Sequence, residues 1–195
     1  MRRSKSAPAN VYAFIDSQNL NLGTQRMGWK LDWRKFRQYL HDQFGVTQAY
    51  MFIGYLSENE SMYEYMHELG YLVVLKPTVD VKQPHTEGPV GKNNKKEEEK
   101  PLIKGNVDAE LVLFAMKEMP HYSKAVIVSG DGDFFSLIEY LKEQGKLANV
   151  LTPNWQYSSL LKPFEADIVR LDQLRRQLAY HDHKKKKPAS EKPKG

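Results

Sequence analysis

Short, near-continuously apolar runs alternate along this chain with stretches whose apolar residues recur at helical spacing. Five runs read as strands: Val11 to Ile15, Ala49 to Tyr55, Tyr71 to Leu75, Ala125 to Val128 and Leu147 to Leu151. A strand exposed on one side alternates polar with apolar residues. These runs do not, which places them in a parallel sheet covered on both faces. Helices are predicted between them over Trp33–Phe44, Glu58–Leu69, Val107–Met119 and Phe134–Gln144. In the last of these, Phe134, Leu137, Ile138 and Leu141 share one stripe, and Gly145 is a natural stop. Such strand–helix alternation predicts a single α/β domain with a central, mostly parallel sheet.

Three segments break the rhythm. Residues 79–102 are polar and crowded with Lys and Glu, longer than a strand-to-helix connection usually is, and are expected to be a mobile loop. Residues 153–180 read as a short helix around Ser158 to Leu161, an edge strand near Ile168 to Leu171 and a terminal helix from Asp172. A basic flexible N-terminus over 1–9 and a disordered Lys-rich tail over 181–195 are expected to flank a domain spanning 10–180.

Charge divides the same way. The formal net charge is +5, but Lys184 to Gly195 carries +5 and residues 1–9 carry +3, which leaves −3 for the body between them. The basicity lies in the tails, where loose attraction to phosphates is expected. The 195 residues suit one domain, and 41% apolar residues suffice for a packed core. No run approaches eighteen apolar residues, and Met1-Arg2-Arg3-Ser4-Lys5 leads into no signal-type stretch; a soluble, cytoplasmic chain with no membrane partner is expected. With no cysteine, disulfide frameworks, zinc fingers, iron–sulfur clusters and thiol nucleophiles are excluded.

The candidate chemistry lies in acids at the ends of strands, where open α/β sheets bind ligands. The first strand ends at Asp16, the fourth runs into Ser129-Gly130-Asp131-Gly132-Asp133, and the helix after Lys104-Gly105-Asn106 begins at Asp108. If that helix starts at the same edge, Asp16, Asp108, Asp131 and Asp133 converge. Clustered carboxylates repel one another and are costly to bury, and divalent cations relieve both problems. Oxygen-only ligation suits Mg²⁺ or Mn²⁺ and phosphodiester chemistry. Each acid also has a plainer reading. Asp131 and Asp133 are good helix caps, and Asp108 suits the positive end of its helix. Asn19 and Ser129 are supporting polar candidates that would serve a turn equally well, and Lys104 would meet a phosphate or stay solvated.

Other chemistries fail on spacing. Gly130-Asp131-Gly132 lacks the third glycine of a dinucleotide fingerprint, there is no phosphate-binding loop with its Gly-Lys-Ser/Thr, and Ser129 lies outside a Gly-x-Ser-x-Gly elbow. The six histidines show no zinc-type spacing. Trp155-Gln156-Tyr157, after the fifth strand, offers aromatic faces on which a base would stack.

Three motifs in order, Phe14-Ile15-Asp16-Ser17-Gln18-Asn19-Leu20, Lys104-Gly105-Asn106-Val107-Asp108 and Val128-Ser129-Gly130-Asp131-Gly132-Asp133-Phe134, resemble the NYN domain, the branch of the PIN-like nuclease superfamily that includes LabA-like proteins. The resemblance spans roughly residues 10–175. It implies a Rossmann-like, PIN-type three-layer sandwich and a metal-dependent endoribonuclease in which metal-activated water cuts RNA, single-stranded or structured. Asp16, Asp108, Asp131 and Asp133 carry over as catalytic metal ligands, and Asn19 as a supporting residue. Many relatives have a further acid where Phe114 stands, which leaves the number of metals open. Pairing as a homodimer is a further expectation of the class. The alternatives are a non-catalytic RNA-binding or scaffolding module of the same fold, or a nucleotide phosphatase.

Overall fold

In the computed structural model, residues 10–76, 79–80, 103–104 and 107–181 are described. The expectations for the N-terminus, for most of the polar segment 79–102 and for the tail after His181 lie outside them. The chain opens with β1 (Val11–Asp16), α1 (Ser17–Arg26), α2 (Trp33–Phe44) and β2 (Val46–Gly54). There follow a 3₁₀ turn, α3 (Glu60–Glu68), β3 (Leu72–Lys76), β4 (Val79–Asp80) and β5 (Ile103–Lys104). The second half comprises α4 (Asp108–Lys117), β6 (Lys124–Val128), the 3₁₀ turn Gly132–Phe134, α5 (Phe135–Glu143), β7 (Leu147–Thr152), a 3₁₀ stretch Ser159–Asp167, β8 (Ile168–Arg170), and α6 (Arg175–Leu178) after a last 3₁₀ turn.

The main sheet has the order β3-β2-β1-β6-β7-β8, and every pairing in it is parallel. The chain winds outward from β1 through β2 to β3, then returns to the other side of β1 and winds out through β6, β7 and β8. The reversal leaves a crevice between the carboxyl ends of β1 and β6. All six residues of β1 are buried. Val11, Ala13 and Ile15 join a core with Leu20 of α1, Phe36 and Leu40 of α2, Met66 of α3 and Leu178 of α6. Tyr12 and Phe14 face the other way, into a core with Leu111 and Ala115 of α4 and Leu137, Ile138 and Leu141 of α5. The unbroken apolar runs have their explanation here: two hydrophobic layers flank one sheet, which gives the expected three-layer α/β architecture.

Two elements depart from the sequence expectation. The polar stretch after Asp16 forms α1, although only Leu20, Gly23 and Thr24 of its ten residues are buried. A helix that buries so narrow a face gives almost no amphipathic signal. The long polar segment is closed at its base by the antiparallel pair β4–β5, with Val79 opposite Lys104 and Asp80 opposite Ile103.

Helix α1 is held by close approach rather than by apolar area. A Cβ on Gly23 would lie 2.5 Å from the Pro153 ring, and the Gly23 carbonyl accepts from Asn154 Nδ2 at 2.9 Å. Gly→Ala in a helix gains about 0.8–1 kcal/mol of propensity, whereas forcing a methyl into packed space costs about 1–3 kcal/mol. Gly23→Ala is therefore expected to lower stability. Thermal unfolding should show a Tm reduced by a few degrees, at about 2–4 °C per kcal/mol for a chain of this size.

Candidate acidic site at the β1–β6 crevice

Asp16 is the last residue of β1 and the N-cap of α1, and it is 4% exposed. Both its oxygens are engaged. Oδ1 accepts from the Asn19 amide at 3.0 Å, and Oδ2 accepts from Ser129 Oγ at 3.1 Å. Ser129, directly after β6 and 1% exposed, also accepts from the Asp131 amide through the same Oγ at 3.1 Å. Asn19 spans the crevice separately, its Oδ1 accepting from the Gly130 amide at 2.9 Å. Two side chains thus lock the end of β1 to the turn after β6. Both were candidates from sequence, and here each binds across strands far apart in the chain.

Asp131 caps the 3₁₀ turn that follows, its Oδ1 accepting from the Asp133 amide at 3.0 Å. The capping role anticipated for this residue is realised while its carboxylate remains at the crevice. Asp108 opens α4, in the first turn with Glu110. Burial pushes the Asp16 carboxyl above its ordinary range; the bonds from Asn19 and Ser129 oppose this, and the negative charges of Asp108 and Asp131 add to it. Asp16, Asp108 and Asp131 therefore share one electrostatic environment. Asp133 is exposed, and only its backbone amide is tied into the cluster. The side chain of Lys104 is outside the described residues.

Phe114 and Glu110 can also be placed. Phe114 packs on Tyr50 and Phe52 of β2, with ring centroids 5.9 and 5.6 Å away, so this place on α4 is an aromatic contact. Glu110 pairs with Lys76 at 2.8 Å. Lys76 was missed in the sequence reading. Its signal was a cation closing the apolar run of β3, at the same sheet edge as the acids. Trp155 is 55% exposed, and Tyr157 covers the turn at Gly130, where an added Cβ would meet it at 3.2 Å.

The donor set suits a hard divalent cation: a buried carboxylate, its charge opposed by two others, with oxygen ligands alone. Among the described residues no three His, Cys, Asp or Glu side chains close into a ready ligand group.

Known proteins share this arrangement of chain. The "Low amplitude and bright protein LabA" of Synechococcus elongatus is 24% identical over 172 residues, covering 86% of this chain and 87% of its own. A crystal structure of a protein of unknown function from Vibrio parahaemolyticus RIMD 2210633 superposes with a TM-score of 0.67 at 18% identity, over 91% of this chain and 100% of that one, which establishes the shared fold. The NYN domain model matches residues 10–172, from the start of β1 to the turn after β8 and across every acid of the crevice. With the match extending over most of its length, the chain belongs to the NYN domain family.

Proposed function

We propose that this protein is a metal-dependent endoribonuclease that hydrolyses RNA at the β1–β6 crevice. The observation that carries the reading is Asp16, a buried carboxylate at the switch point of the sheet that feels the negative charges of Asp108 and Asp131. Membership of a family of PIN-like nucleases supports RNA as the substrate class. Asp16 and Asp131, with Asp108 or Asp133, would hold the cation, Mg²⁺ or Mn²⁺. When bound, it supplies a lowered water pKa and charge neutralisation at the phosphodiester. The chain's own work is orientation. Ser129 Oγ fixes the Asp16 carboxylate, Asn19 fixes the turn that carries Asp131, and the two together keep like charges adjacent. Attack by water, not by the RNA 2′-hydroxyl, leaves a 5′-phosphate and a 3′-hydroxyl; a 2′,3′-cyclic phosphate product would overturn the reading.

End-labelled RNA incubated with Mn²⁺ or Mg²⁺ is expected to be cut, and EDTA to stop the reaction. Asp131→Asn should reduce the rate by at least about 100-fold, and Ser129→Ala, which removes only the orienting hydroxyl, by about 10–100-fold. Activity that survives in Asp131→Asn would place the chemistry elsewhere.

Stability gives an independent readout. The folded carboxyl of Asp16 is raised above its unfolded value, so the folded state binds the extra proton and stability falls as pH rises through the interval from 3.8 upward. In EDTA at neutral pH, Asp16→Asn should therefore melt above the parent protein, with the advantage vanishing near pH 3. Added Mn²⁺ should raise the Tm of the parent and leave Asp16→Asn unchanged.

A second reading, RNA binding without cleavage, draws on the open acid geometry among the described residues. It requires that Mn²⁺ produce no shift in Tm and that RNA be bound and left intact.

A further inference from the structure

A basic cleft of about 1010 Å³ lies at the far end of α1 from the acids, between the turn that follows this helix and the segment around α6. Its walls include Lys30, Arg175, Arg176, Trp29 and Tyr180, and among the described residues no acidic one lines it. The concentration of cations stands out because residues 10–183 carry a net −3 once the +5 and +3 of the tails are taken from the total of +5.

We propose that this cleft binds the phosphate backbone of single-stranded RNA and leads the strand along α1 to the acidic crevice. The inference rests on the nucleic-acid reading of that crevice. Four observations converge on it. The walls that carry the cations are held in place: Arg175 Nη2 donates to the Gly28 carbonyl at 3.1 Å, and the Tyr180 amide donates to the Lys30 backbone carbonyl at 2.8 Å. Asp32 and Leu178 add a further backbone bond at 2.8 Å, so both walls are preorganised. Lys30 and Arg176 are exposed, and their side chains make no hydrogen bond or ion pair among the described residues, so their charge is available to a ligand.

Second, Tyr180 is 57% exposed beside these cations, and an aromatic face next to cations is the pairing that single strands recognise. Third, Trp29 is 6% exposed, and its indole Nε1 has no acceptor among the described residues. A buried N–H of this kind calls for an oxygen acceptor, which phosphates and bases carry in abundance. Fourth, α1 joins the two sites. From its cap at Asp16 to Arg26 is about 15 Å at 1.5 Å per residue. Between them a small polar depression is lined by Asn19, Arg26, Gly130 and Tyr157, one more cation and one more ring on the path. An acidic protein segment would use the cations but would have no need of the ring or of the route to the crevice.

The test is fluorescence anisotropy of a labelled single-stranded RNA of about 12 nucleotides, in EDTA so that nothing is cut, across a salt series. Each phosphate contact of a single strand contributes about 0.7 to the slope of log affinity on log salt. Lys30→Gln/Arg176→Gln should flatten the slope by about 1.4, and Lys30→Glu/Arg176→Glu should weaken binding more than about tenfold. Tyr180→Ala should cost about fivefold or more through lost stacking. Unchanged affinity and slope in variants whose Tm matches the parent would overturn the proposal. So would competition by polyglutamate as effective as that by unlabelled RNA, which would assign the cleft to an acidic protein partner. Binding that depends on the cleft, in a protein that cuts no RNA with Mn²⁺, would defeat the nuclease reading while the cleft assignment stands.

Discussion

Everything at the functional edge depends on the burial of β1 on both faces. A strand enclosed by two hydrophobic layers can carry no charge before its last residue, and all six of its residues are hidden. The first place where an ionisable group can approach solvent is its carboxyl end, which is where Asp16 stands. Even there the carboxylate is tolerated only because the Asn19 amide and the Ser129 hydroxyl bond to it. Ser129 in turn follows directly on β6, so the neighbour that makes Asp16 tolerable also fixes the position of Asp131. One hydroxyl thus joins the sheet's topology to the geometry of its acids.

Much of this was legible in the sequence, for a physical reason. Apolar runs such as Val11–Ile15 announce doubly buried strands, and acids directly after them announce the edge at which a parallel sheet binds ligands. The three-layer fold and the grouping of Asp16, Asp108 and Asp131 in one electrostatic environment follow from such patterns. The illegible part was what tertiary contact alone decides. Helix α1 reads as polar loop because its packing depends on Gly23 meeting Pro153, a contact that leaves no periodic trace. The bond between Asn19 and Gly130 joins residues 111 positions apart, and no local pattern encodes it. Lys76 looks like any of the 29 Lys and Arg residues until its partner Glu110 is seen 2.8 Å away.

The capping interpretation of the acids and the functional one do not compete. Asp16 caps α1 and Asp131 caps the turn after β6, each with one oxygen, while a carboxylate has acceptor capacity left for a further partner. Capping fixes where each carboxylate points, and the direction is what a ligand requires. Phe114 illustrates the complementary case: a position on α4 is absorbed into the aromatic packing of β2.

The short pair β4–β5 has a consequence for how such a domain can change. Its two strands hold the ends of the polar segment together through a two-by-two ladder. Closing a loop grows costlier only logarithmically with its length, by about 0.6 kcal/mol per doubling. The ladder therefore acts as a socket, in which the length and composition of residues 81–102 can drift or be exchanged with little energetic echo in the core. In this fold, such a segment can be lengthened or exchanged without renegotiating the architecture that holds the acids.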